Sequence, residues 1–155
     1  MNADLETAIA ALEARASASR PPTRHEARAI LLALGQALAE GRDAAVEVAA
    51  GRLAKLPEPF HPGWHATVRE ELAMAVTEYV RSVDPRYLAH PEYDLAYTLD
   101  ARRRLELRLR AAERLGLPAD RPTAESVARA DALLERHTRT PLRESLEQGG
   151  GETVF

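Results

Sequence analysis

The feature that most constrains this chain is where its prolines fall. All ten of them (Pro21, Pro22, Pro57, Pro59, Pro62, Pro85, Pro91, Pro118, Pro122 and Pro141) lie between segments with helical periodicity. A proline in a helix interior removes a hydrogen bond, clashes with the preceding turn and costs about 3 kcal/mol. The stretches it avoids are built from Ala, Leu, Arg and Glu, which lose little side-chain freedom in a helix. The pattern predicts an all-α fold: a bundle of about six helices with proline-bounded loops and a disordered C-terminal tail.

The six blocks read as 3–17, 23–41, 42–56, 64–83, 91–115 and 123–137. In the first, Leu5, Ile9, Leu12 and Ala16 share a face. Thr23 opens the second with Glu26 three residues on, the pattern of a capping box, and Gly41 ends it. The clearest stripe belongs to 64–83, where Val68, Leu72, Ala75, Val76, Tyr79 and Val83 recur at spacings of three and four, with Glu71 read as lying off it. Asp84-Pro85 reads as the cap and first residue of a short turn, Pro91 as the start of the longest helix and Thr123 as the cap of the last. The proline-dense 57–63 reads as non-helical. The domain expectation is one helical bundle over 1–142, followed by a flexible tail over 143–155.

Thirty of the 155 residues are Ala and only 5% are aromatic, so the core should be thin and its helices closely approached. With no cysteine, disulfides, thiolate catalysis and cysteine metal sites are excluded. A net charge of −3 exerts no general pull toward nucleic acid or an anionic membrane. The acidic start Met1-Asn2-Ala3-Asp4 and an apolar run no longer than Ala29 to Leu34 give neither a secretory signal nor a membrane span, so a cytoplasmic setting is expected. Every basic residue but Lys55 is Arg, which reads as the bias of a GC-rich bacterial genome.

Four groups of residues are candidates for function. His61 and His65 are four apart, the spacing of metal ligands on one helix face, but the reading of 57–63 as loop leaves His61 off the helix. His90, Tyr93 and Tyr97 cluster titratable and aromatic groups next in sequence, so the five together are a metal or small-ligand alternative. Arg103, Arg110 and Arg114 gather on one side of the only basic run, 102–114, and form a nucleic-acid alternative, although Glu106 and Glu113 lie beside them. Arg20 and His25 have the R-x4-H spacing of helical ribonuclease domains of the HEPN type, yet Pro21-Pro22 between them keeps the two off one helix face.

The end of the chain, Glu152-Thr153-Val154-Phe155, resembles a C-terminal ligand of PDZ domains, with Thr third from the end and an apolar last residue behind a Gly149-Gly150-Gly151 tether. The resemblance covers these four residues and implies a partner whose sheet edge the tail would extend. The chain carries no Ser/His/Asp constellation, phosphate-binding glycine loop or calcium loop. The expectation is a non-enzymatic helical adaptor or accessory protein that meets a protein partner, without a cofactor. If the 64–83 stripe exceeds what the chain's own helices cover, it is also a homo-oligomer.

Overall fold

The computed structural model describes residues 3–152, with side chains for 4–148. Among these the fold is all-α: eight α-helices, one 3-10 turn and no strand. The helices are α1 (Ala3–Ser17), α2 (Arg24–Ala39), α3 (Asp43–Ala54), α4 (His61–Ser82), α5 (Pro85–Leu88), α6 (Leu95–Arg114), α7 (Arg121–Thr138) and α8 (Leu142–Glu152). The six long ones are the six proline-bounded blocks. Two compact units result, Met1–Ala73 with Glu106–Ala119 and Met74–Leu105 with Asp120–Phe155, and the divisions fall inside α4 and α6.

In the first unit α1, α2 and α3 pack on one another around Leu5, Ile9, Leu12, Ile30, Leu31, Leu34 and Leu53. Ala111, Ala112 and Leu117 join that core from the returning segment. The close approach expected of an alanine-rich chain is sharpest at Gly35. A Cβ built there would stand 2.3 Å from the backbone oxygen of Leu107, so α2 meets α6 backbone to backbone. Thr23 closes the expected capping box, its hydroxyl accepting from the Glu26 N–H while the Glu26 carboxylate accepts from the Thr23 N–H. At the far end of α2, Gly41 has φ +70°, and the bonds Arg42 N–H to Ala37 and Gly41 N–H to Leu38 complete a Schellman turn. Arg52 of α3 bridges back to Glu6 and Glu13 of α1, tying the first and third helices at the surface.

The second unit buries Val76 and Tyr79 of α4, Val83 just beyond its end, Thr98, Leu99 and Leu105 of α6, and Val127, Ala130 and Leu134 of α7, with α8 packed on α7. Every residue of the 64–83 stripe is buried within a single chain, so it is core and has nothing to offer a second copy.

Three helix starts differ from the expectation. Residues 57–63 are not a loop: Glu58–Phe60 form a 3-10 turn, and α4 begins at His61 with Pro62 and Gly63 inside its first turn. The N–H that proline lacks has no intrahelical partner at that position, so proline costs little there. By the same reasoning α7 starts at Arg121 under an Asp120 cap, with Pro122 in its first turn, and Thr123 receives the cap instead of supplying it. The helix expected to be the longest starts at Leu95 and not at Pro91, and its 20 residues fall short of the 22 of α4. His90 to Tyr93 form a turn, and Asp94 accepts from the Tyr97 N–H. The polar segment from 143, expected to be a flexible tail, begins as α8. Glu135 caps the Leu142 N–H at 2.7 Å, Ser145 is buried and Arg103 donates to the Leu146 carbonyl, so packing on α7 and α6 overrides composition.

Candidate functional site

The sequence candidates are divided between the two units. His61 and His65 belong to the first unit, and His90, Tyr93 and Tyr97 to the second. Among the described residues no group of three or more His, Cys, Asp or Glu is placed to hold a metal ion. His90 is exposed, and its Nδ1 accepts from the Glu92 N–H within the turn. Tyr93 is half-buried, donates to Thr98 at 2.7 Å and stands edge-on to His137, with ring centres 5.3 Å apart. Burial pushes its phenol up, against the opposing bond with Thr98. Tyr97 is exposed and donates to Glu78 at 2.8 Å, and that bond raises its pKa.

His61 corrects the reading of its neighbourhood. It lies on α4, one turn before His65, with the two ring centres 5.8 Å apart. Its Nε2 is 2.8 Å from the Leu56 carbonyl oxygen. Both rings, with Trp64, Leu53 and Leu117, line a hollow of about 320 Å³. Burial, then the charges of His61 and Arg69, lower the pKa of His65 and favour its neutral form.

The three arginines of the nucleic-acid alternative are split between the units, Arg103 in the second and Arg110 and Arg114 in the first. Each has a partner. Arg103 donates to the Leu146 carbonyl at 2.7 Å, Arg110 to Glu106 at 3.2 Å and Arg114 to Glu47 at 2.5 Å. In the C-terminal tetrad, Glu152 ends α8, while Thr153, Val154 and Phe155 lie outside the described residues.

Two polar clusters escaped the sequence reading. In the second unit Tyr79, fully buried, donates to Asp131 at 2.5 Å, and Arg102 grips the same carboxylate through Nε at 2.9 Å and Nη2 at 3.1 Å. The guanidinium also stands over the Tyr79 ring, 5.7 Å from its centre. Burial first, then the bond to Asp131, push the Tyr79 phenol far above its ordinary range, so it stays protonated. In the first unit Glu71, read as off the stripe, is buried. It accepts from Arg28 at 3.0 Å and lies 3.8 Å from Arg108, itself only 5% exposed. Position 71 is three residues past Val68 and four before Ala75, so its place on the wheel was the one signal of burial.

In the first unit a groove of about 570 Å³ runs between α1 and α2. Ala8, Ala11, Ala29, Leu32 and Ala33 form its apolar lining, and Thr7, His25 and Gln36 supply polar groups. Among the described residues no helix is long and apolar enough to cross a membrane. No known protein family, curated protein or solved structure matches this chain.

Proposed function

We propose that this protein is a non-enzymatic interaction module that receives an amphipathic helix of a protein partner in the groove between α1 and α2. The groove itself carries the reading. Its lining is four alanines and a half-buried leucine, short side chains that let a helix approach closely, and its polar groups come from both helices. Helix-in-groove recognition uses such surfaces: an apolar face supplies the affinity and the polar groups set the register. The paired state of the titratable clusters agrees with a role by contact. Tyr79, Asp131 and Arg102 are bonded to one another, as are Glu71 and Arg28.

The test is site-specific cross-linking in the native cell. A photoreactive residue at Ala33 should trap a partner, the same residue at exposed Glu113 should not, and Ala11→Arg should abolish the Ala33 product while the circular dichroism spectrum stays helical. Equal trapping from both positions, or a product that Ala11→Arg leaves intact, would overturn the reading.

A further inference from the structure

From the pairing of His61 and His65 on one face of α4, beside the hollow lined by Trp64, we infer that the start of this helix binds a borderline divalent transition ion such as Cu²⁺ or Zn²⁺. The inference is independent of the α1–α2 groove and stands or falls without it.

An imidazole nitrogen lies about 2.0–2.1 Å from such an ion, which puts each ring centre about 3.2 Å from it. Two rings sharing a tetrahedral ion therefore have centres about 5.3 Å apart. The observed 5.8 Å needs a closure of about half an ångström, within reach of small rotations about χ1 and χ2. Both residues lie on one continuous helix, His61 at its first position and His65 one turn on, so the spacing is built into the backbone.

A carbonyl oxygen only accepts, so the 2.8 Å approach of His61 Nε2 to the Leu56 oxygen puts the proton on Nε2 and leaves the lone pair on Nδ1. A metal-bound histidine ordinarily gives its other ring N–H to a backbone carbonyl or carboxylate, which fixes the ring and raises its basicity. His61 already has that partner.

The surroundings set the strength. Two imidazoles supply two ligands, and the hollow of about 320 Å³ has room for water to complete the shell. Arg114 lines the same hollow, with its charge matched by Glu47 at 2.5 Å, while Arg69 opposes a cation. The site is therefore weaker than a four-ligand structural site, and Cu²⁺ should bind more tightly than Zn²⁺. Bridging positions 61 and 65 would also clamp the first turn of α4, where Pro62 supplies no N–H.

The experiment uses the full-length chain without an affinity tag. Titration with Cu²⁺ should saturate at one ion per chain, and electron paramagnetic resonance should show coupling to two nitrogens. His61→Gln and His65→Gln, each checked for helix content, should each abolish the two-nitrogen signal, while His25→Gln should leave it unchanged. Zn²⁺ should compete for the same ion site and raise the melting temperature of the wild type but not of His65→Gln. A wild type that takes up no stoichiometric Cu²⁺, a one-nitrogen signal, or binding that survives both substitutions would overturn the site.

Discussion

At the scale of single residues, Gly35 reverses an ordinary expectation. In an exposed helix Gly→Ala gains about 1 kcal/mol, because alanine loses less backbone freedom. Here the new methyl would meet the Leu107 backbone oxygen at 2.3 Å, and neither helix backbone can yield as a side chain can. Gly35→Ala should therefore destabilise the protein, by the roughly 1–3 kcal/mol of an overpacked core, and thermal melts will show the sign. The Tyr79 cluster should respond unequally to its deletions. Tyr79→Phe removes one bond to a carboxylate that Arg102 still holds and should cost about 2 kcal/mol. Asp131→Ala removes the carboxylate that Tyr79 and Arg102 share and should cost about 3 kcal/mol, low in the range for a broken buried pair because the Arg102 and Asp131 side chains keep 14% and 20% exposure. Urea denaturation of the two variants gives the comparison. Glu26 supplies a pH dependence. Burial pushes its carboxyl up, but the bonds from Thr23 and Arg15 outweigh this and hold it below the ordinary 4.5. Its contribution is complete above pH 4.5 and is lost as pH falls through the lowered folded value. The stability gap between wild type and Glu26→Gln should thus be widest near neutrality and close on acidification.

At the scale of elements, the sequence disclosed the six long helices because proline is excluded from helix interiors, and it misplaced their starts because proline is tolerated in first turns. Pro62 and Pro122 read as boundaries, yet each lies inside its helix. The same error removed His61 from α4 and made the His61–His65 spacing look accidental. Glu71 was illegible for another reason. A carboxylate on a wheel reads as a solvated position, and only Arg28 and Arg108, both distant in sequence, make its burial tolerable. The first turns of α8 were illegible for a similar reason, since Glu135 at Leu142 and Arg103 at the Leu146 carbonyl reach them from other helices. The arginines of α6 carry the prediction at this scale. Each is engaged within the chain, so replacing Arg103, Arg110 and Arg114 together by Gln should cost about 1–2 kcal/mol, mostly through the freed Leu146 carbonyl. Fluorescence titration with RNA and DNA at physiological salt should give the same flat response for wild type and variant.

At the scale of the whole molecule, neither compact unit is one stretch of chain. The chain enters the second unit at Met74, returns to the first at Glu106 and leaves it again at Asp120. A chain cut after Ala119 keeps every residue of the first unit but deprives the second of Asp131, Val127, Ala130 and Leu134. Such a fragment should keep helical dichroism from α1 to α3, while limited trypsin digestion should cleave it early at Arg81, Arg86 and Arg102, sites in the part of the second unit left behind.

The returning segment also has a consequence for how the protein is made. The ribosome releases residues 1–73 first, but Ala111, Ala112 and Leu117, which complete their core, follow only after all of 74–105. At about 5–20 residues per second, α1, α2 and α3 wait on the order of seconds for the residues that complete their shared core. A slow codon between 74 and 105 should lengthen the interval in which the core of the first unit stands incomplete on the nascent chain.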